Sequence, residues 1–335
     1  MMRRVLASVL VFGMSSVAAA EAPRLGRAEP PAKREGSIRL ATYNVLNLFD
    51  GHDDPTLTGD RDDMRSVKPE QEKAALAEAL QRLDADIVAL QEVESLQALV
   101  EFRNEHLQGL GYDYVASIDA GDDRGIEQAA LSRFPITQAT VFPSMPLGGV
   151  HPEKYGNEAN WLAGEPIECR RSPLVVVVSV PGDEGAAPYE LTLFVVHHKS
   201  GRYSDYWRER ESARFAAIVQ EMQEADPARN IAVLGDFNAL PTDASVRTYA
   251  DAAGLMDVFG ERSPGDTTLL THESDRVIDM IWVNGALAKE LIPGSAFVMG
   301  TPMRAKGADW RTVPPPAGYA SDHLPVAVDL TPVDR

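Results

Sequence analysis

Polar residues suited to metal binding or proton transfer recur where the apolar, strand-like runs of this sequence stop. Asn44 sits in IRLATYNV (38–45), and Glu92 closes DIVALQE (86–92). His197 closes ELTLFVVH (190–197), and Asp236 and Asn238 follow IAVLG (231–235). Asp279 lies inside VIDMIWV (277–283), while Asp322 and His323 stand immediately before LPVAVDL (324–330). Singly, each has an ordinary explanation: a strand-end Asp forms a turn or caps a helix, and a lone His is a satisfied core residue. Together they make an oxygen-rich set, with Glu92, Asp236 and Asp322 as carboxylates and Asn44 and Asn238 as amide oxygens. Such ligands suit a hard cation, Mg²⁺ first with Mn²⁺ or Ca²⁺ as substitutes; zinc would call for more His or Cys. Two histidines with carboxylate partners add a general acid/base pair. Phosphoryl transfer needs these parts: charge neutralisation, an oriented water and a protonated leaving group.

Alternating strand-like and helix-like segments must position that set. A helix is expected from Pro69, with Leu76, Ala79, Leu80 and Leu83 on one stripe. A second is expected after the N-cap candidate Ser95, with Leu96, Leu99, Val100 and Leu107 inward. A long amphipathic helix is expected between Asp205 and Asp226, with Phe215, Ile218, Val219 and Met222 inward. An acidic loop follows the first strand, carrying Asp50, Asp53, Asp54, Asp60, Asp62 and Asp63. The alternation implies layered sheets covered by helices, in one domain over residues 37–333. Two loops, 141–168 and 300–320, interleave aromatic and basic residues with turn formers and are candidates for a substrate wall.

Residues 1–20 read as a secretory signal: Arg3 and Arg4 precede an apolar run from Val5 to Met14, then Ala18, Ala19 and Ala20. The run is shorter than the ~20 apolar residues a membrane span requires. Cleavage after Ala20 and export to the periplasm or medium are expected, as a monomer without a stable membrane anchor. Residues 21–36 read as a flexible linker rich in Pro and charge. The net charge is −18, and losing Arg3 and Arg4 lowers it by two more. An acidic chain repels polyanions at long range, so a nucleic-acid partner must be captured by a local basic patch or a metal. Cys169 is the only cysteine, which excludes an internal disulfide.

These segments resemble the endonuclease/exonuclease/phosphatase superfamily related to pancreatic deoxyribonuclease. The resemblance rests on TYNVLNLF (42–49), ALQEVE (89–94), DRGIEQAALSRFPI (123–136), RSPL (171–174), VVHHKSGR (195–202), LGDFNALPTD (234–243), RVIDMIW (276–282) and SDHLPV (321–326), in the family's order. It implies an α/β fold, a four-layer α/β sandwich of two mixed β-sheets flanked by helices, with the site at one end of the sheets. It implies Glu92 as principal metal ligand, assisted by Asn44 and Asp322. Asp236 would orient or deprotonate the attacking water, and Asn238 would hold the phosphoryl oxygens. His323, paired with Asp279, would contact the phosphate or shuttle a proton. His197 would protonate the leaving oxygen, with Glu127 as its carboxylate partner. Arg124, Lys199 and Arg202 are assigned to substrate binding.

The departures narrow the expectation. Relatives that repair abasic DNA carry Tyr where this chain has His197, so the deoxyribonuclease and phosphodiesterase branches fit better. His198 duplicates the histidine, and successive strand residues point to opposite faces, so only one of the two reaches the site. The expected activity is a nuclease hydrolysing phosphodiester bonds of DNA, RNA included, by metal-assisted in-line attack of water. A phospholipid or sphingomyelin phosphodiesterase or an inositol-phosphate phosphatase is the alternative enzyme. A dead binding or toxin-like protein on the same fold is the alternative class, disfavoured by the complete set of residues.

Overall fold

The computed structural model describes residues 23–182, 185–260, 262–263 and 265–334. The expected signal segment therefore lies outside the described residues.

Twelve strands form two six-stranded sheets. The first contains β1 (Ile38–Leu48), β2 (Ile87–Val93), β3 (Tyr114–Ser117), β4 (Glu127–Ser132), β11 (Phe297–Val298) and β12 (Val326–Leu330), in the order β11-β12-β1-β2-β4-β3. The second contains β5 (Ile136–Thr140), β6 (Leu174–Val180), β7 (Tyr189–His197), β8 (Asn230–Asp236), β9 (Met256–Asp257) and β10 (Asp279–Val283), in the order β9-β10-β8-β7-β6-β5. Both sheets are mixed: β1 and β2 run parallel, as do β7 and β8, and the other pairs are antiparallel.

Side-chain alternation explains the layering. Leu40, Ile87, Ala89, Val326 and Val328 of the first sheet pack against Val176, Leu193, Val195, Leu234 and Ile281 of the second. The intervening residues face outward. Ala41, Tyr43, Val88 and Leu90 meet helices α1 (Glu70–Leu83) and α2 (Leu96–His106). Phe194, Val196, Val233 and Met280 meet α3 (Asp205–Ala225) and α4 (Ala244–Ala253). The result is a four-layer α/β sandwich with three apolar cores, one between the sheets and one under each helix pair. Because most strands are covered on both faces, they read as continuous apolar runs.

The helix expectations hold in placement, with local differences. Ser95 caps α2, its Oγ accepting from Ala98 N at 3.0 Å. Leu96 is exposed, because the helix turns Ala98, Leu99 and Phe102 to the core instead. The reading of residues 21–36 as a flexible linker is corrected over its described part, 23–36. Leu25 is buried in the inter-sheet core, Arg27 N donates to Val298 O at 2.8 Å, and Lys33 pairs with Asp86 at 3.0 Å. Proline and charge in that stretch make an extended strap with its own anchors. Among the described residues no helix is long and apolar enough to cross a membrane.

One close approach holds the parallel pair β7–β8 together. Gly235 has φ +145, and a Cβ there would lie 1.9 Å from Val196 O. Gly235→Ala is expected to cost on the order of 3 kcal/mol of unfolding free energy, since backbone must move to admit it. Chemical denaturation of the purified variant checks this; an unchanged midpoint would refute the close-approach argument.

Candidate active site

The inter-sheet core ends in polar residues at one rim. Along β7 the inward positions are Leu191, Leu193 and Val195, then His197; along β8 they are Ala232 and Leu234, then Asp236. On β10, Asp279 precedes the inward Ile281 and Val283. Strand register sets His197 beside Asp236, and Asp236 beside Asp279. Asn44, in phase with inward Leu40 on β1, reaches across from the other sheet. Its Nδ2 donates to Asp236 Oδ2 at 3.2 Å. Asn238, held at φ +48, donates from Nδ2 to the same oxygen at 2.9 Å and from its backbone N to Oδ1 at 2.8 Å. Burial, partly offset by His323, pushes the Asp236 carboxyl up to about 6, with Asp279 and Glu92 adding to the rise.

Glu92 reaches this rim through a break in the strand. Val88 and Leu90 face the helices, and strict alternation would send Glu92 after them. Instead Glu92 adopts φ +64, the register with β4 slips between Gln91 and Val93, and Val93 takes the outward place. This is a bulge that re-aims one side chain beside a site. The neighbouring β1 breaks at the same level, with Leu46 and Asn47 also at positive φ and register slipping between Asn44 and Leu48. Buried Lys68 braces that break, donating to Val45 O at 3.0 Å and Leu46 O at 3.1 Å. Glu92 Oε1 lies 3.5 Å from Arg124 Nη1 and 3.7 Å from His197 Nε2.

The two histidines are shifted in opposite directions. His323 Nδ1 donates to Asp279 at 2.9 Å. Burial alone would lower its pKa, but the charges of Asp279 and Asp236 hold it well above the ordinary value. His197 goes the other way: burial, then the positive charges of Arg171 and Arg124, push it well below the ordinary value. Arg171 Nη1 donates to His197 Nε2 at 2.8 Å, and Asp122 holds Arg171 Nε at 3.1 Å.

One expectation is corrected here. Glu127 does not pair with His197: it accepts from Ala120 N at 3.1 Å, and burial with Asp119 and Asp122 nearby pushes its carboxyl up to about 8. His197 instead meets a guanidinium, whose charge together with burial disfavours its protonated form. Its partner is Arg171 of the RSPL segment, a residue with no role legible in sequence. His198 faces away, bonded to Glu211 at 3.0 Å and Tyr249 at 2.9 Å between α3 and α4.

Asp322 completes the rim. Burial would raise its carboxyl, but a hydrogen bond from His272 and the charge of His323 hold it well below the usual carboxylate range. Glu92 Oε2 and Asp322 Oδ1 are buried oxygens without a hydrogen-bond partner. Buried carboxylate oxygens are costly to leave unpaired. Unpaired buried carboxylate oxygens of this kind suit a divalent cation, and Glu92 and Asp322 are the residues that would hold one. Further acidic and histidine clusters compatible with a metal lie here, Asp236 with Asp279 and His323, and His272 with Asp322 and His323.

His272 was not singled out by sequence, where it is a lone His in a turn-rich stretch. Ser274 N donates to its Nδ1 at 3.0 Å, so the neutral ring carries its proton on Nε2, 3.4 Å from Asp322 Oδ2. Backbone pairing joins the two segments, through Leu324 N to Thr271 O at 2.7 Å and Glu273 N to Asp322 O at 2.8 Å. His272 thus orients one oxygen of Asp322 and leaves the other without a hydrogen bond, 3.8 Å from His323 Nε2.

A cleft of about 380 Å³ opens beside His197, with Arg124, Arg170, Arg171, Lys199 and Arg202 along it. Its outer wall comes from residues 141–168, which fold into two small hairpins, 146–150 with 166–168 and 154–155 with 158–159. Residues 300–320 contribute nothing to the cleft; Arg304 is held by Tyr319 Oη at 2.7 Å and by Glu273. Of the basic stretch after His197, Arg208 braces the turn by donating to Lys199 O at 2.9 Å, and Arg214 pairs with Glu221 at 3.6 Å.

With this geometry in view, the model of the Endonuclease/Exonuclease/phosphatase family matches residues 41–323. The chain belongs to that family. Its members are metal-dependent phosphoric ester hydrolases, and the chain is an enzyme of this kind. Among solved structures, the human Nocturnin catalytic domain with bound sulfate is similar at 17% identity, covering 89% of this chain and 95% of that one, with TM-score 0.55. The mannosyl-6-phosphatase Bt3783 of Bacteroides thetaiotaomicron is similar at 18% identity, covering 87% and 98%, with TM-score 0.53. Truncated Caenorhabditis elegans TDP2 is similar at 15% identity, covering 88% and 97%, with TM-score 0.53. At these identities the likeness concerns the fold. No curated protein matches the chain.

His272→Ala is expected to weaken divalent-metal binding by about 10–100-fold, the usual cost of losing a residue that orients a ligand. Isothermal titration of the apoprotein with Mg²⁺ or Mn²⁺ checks this directly. Wild-type affinity in the variant would remove His272 from the site.

Proposed function

We propose that this enzyme is a divalent-metal-dependent phosphodiesterase that hydrolyses nucleic acid, DNA in the first place. The observation that carries this reading is the placement of cations in an acidic chain. With a net charge of −18, the protein still lines one cleft beside the catalytic rim with Arg124, Arg170, Lys199 and Arg202. That arrangement suits a substrate with phosphates next to the scissile one. A lipid substrate would call for a contiguous exposed apolar face, whereas Val150 and Trp161 are the only exposed large apolar residues of the 141–168 wall.

The bound cation would neutralise charge on the phosphoryl and leaving oxygens. The chain's own groups do the rest. Asp236, fixed by the amides of Asn44 and Asn238, accepts the proton of the attacking water. Asn238 donates its amide protons to Asp236 and to His198 O at 3.1 Å, so its part is to fix Asp236. His323, oriented through Nδ1 by Asp279, presents Nε2–H to the phosphate as a charged donor. Arg171, anchored by Asp122, adds positive charge beside His197 and excludes other orientations of that ring.

We extend the proposal to action outside the cytoplasm, on the character of residues 1–20. The exported protein is then expected to start at or near Glu21. N-terminal sequencing that finds Met1 on protein recovered outside the cytoplasm would overturn this part.

A panel of plasmid DNA, RNA, sphingomyelin and inositol phosphates, each with and without Mg²⁺, tests the substrate class. DNA hydrolysis is expected to exceed the others, to stop on chelation, and to fall in Glu92→Ala by at least ~10³-fold, the scale of losing electrostatic stabilisation at a reacting phosphate. Faster sphingomyelin or inositol-phosphate hydrolysis would replace the substrate reading; full activity in excess chelator would sink the mechanism.

A further inference from the structure

The cleft has two features that phosphate binding does not require: aromatic faces along its walls and a small size. Trp161 is 73% exposed and lies at the outer wall. The Arg170 guanidinium is 5.9 Å from the Trp161 ring and 5.6 Å from the Trp207 ring, so it bridges two indoles. Lys199 Nζ is 5.7 Å from the Trp207 ring. On the other side Tyr155, from the short hairpin, stacks on Tyr203 with centroids 6.4 Å apart and planes at 21°. The hairpin is pressed onto that ring, since a Cβ on Gly156 would lie 2.6 Å from it. Aromatic and guanidinium planes therefore line the cleft, with Trp161 the most exposed of them.

Such planes are of use only to a base whose face is free. In a duplex each base is covered above and below by its neighbours, and a protein reaches edges and backbone. Unpaired bases expose their faces and stack on aromatic side chains or arginine planes. The volume of about 380 Å³ lies low in the range of small-molecule pockets and has room for one nucleotide residue. Charge agrees as well. A duplex binder engages a run of phosphates along a broad basic face. Here four of the cleft cations are already matched by carboxylates, Arg61 and Arg170 by Asp123 at 3.1 and 2.7 Å, Arg171 by Asp122 at 3.1 Å and Arg124 by Glu92 at 3.5 Å.

We propose that the cleft holds one unpaired nucleotide next to the scissile phosphate, between the Trp161–Arg170 wall and the Tyr155–Tyr203 pair, so that the enzyme prefers single-stranded nucleic acid. This rests on the phosphodiesterase reading above and narrows its substrate. Phosphate is held by Lys199 and Arg202, and the base by the planes.

The test uses the full-length exported protein with saturating Mg²⁺ and one end-labelled oligodeoxynucleotide, offered alone and annealed to its complement. Bis(p-nitrophenyl) phosphate serves as a small diester without bases. The single strand is expected to be cut at least about tenfold faster than the duplex, and Trp161→Ala is expected to raise its KM about tenfold with little change in kcat, the scale of losing one base stack. Equal or faster cleavage of the duplex, or an unchanged KM in Trp161→Ala, overturns the single-strand preference and leaves a nuclease standing. Hydrolysis of the small diester with neither form of DNA cut overturns the nucleic-acid reading itself.

Discussion

The packing of two sheets face to face is the constraint on which the rest depends. The inner faces are apolar over most of their length, turn polar near one end from the Thr42–Gln91 pair onward, and bring Asn44, His197, Asp236 and Asp279 together at that rim. Because the rim sits on dry, close-packed cores, its side chains have little freedom, which is what pre-organised catalysis requires. The residues that depart from regular geometry stand at this rim as well. Leu46, Asn47, Glu92 and Asn238 adopt positive φ without being glycine. Such conformations are strained and persist where surrounding structure over-determines them.

Electrostatics follow from that placement. Buried carboxylates converge at the rim, and the chain answers with cations held by their own partners: His323 by Asp279, Arg171 by Asp122, and Lys68 by two carbonyls. Burial and these charges shift the two histidines in opposite directions, His197 down and His323 up. They still leave Glu92 Oε2 and Asp322 Oδ1 without partners, a deficit that a divalent cation would meet. Metal binding and substrate handling are therefore linked through Arg124, which sits against Glu92 and also lines the cleft.

Specificity is carried by a different layer. The 141–168 wall packs on α3, where Trp207 Nε1 donates to Glu168 O at 3.1 Å and His151 Nδ1 meets Tyr206 Oη at 2.8 Å. It is built outside the sheet rim, so under the proposed function its residues could change without touching the carboxylates. That division is common where a rigid scaffold supports functional loops.

The sequence by itself determined the ingredients. Polar residues closing apolar runs, in a fixed order, were enough to name the carboxylates, the amides and His323. The apolar runs implied strands, and the stripes at 76–83 and 215–222 implied the helices that cover them. What it left open was partnership and direction. Residues 193–196 are apolar on both faces of the strand because both are buried, so the residues next to the pair carried no contrast in polarity to tell His197 from His198. Glu92 continued an unbroken pattern, and only a backbone bulge, which leaves no mark in residue type, turned it to the rim. Arg171, Asp122 and His272 lie 26 or more residues from the groups they hold, apart in sequence and adjacent only after folding. Glu127 was given to His197 by likeness, whereas its own strand position sends it to Ala120. Composition and periodicity act along the chain and so reach its elements. Charge states and pairings depend on distances across two sheets, and those exist only in the folded molecule.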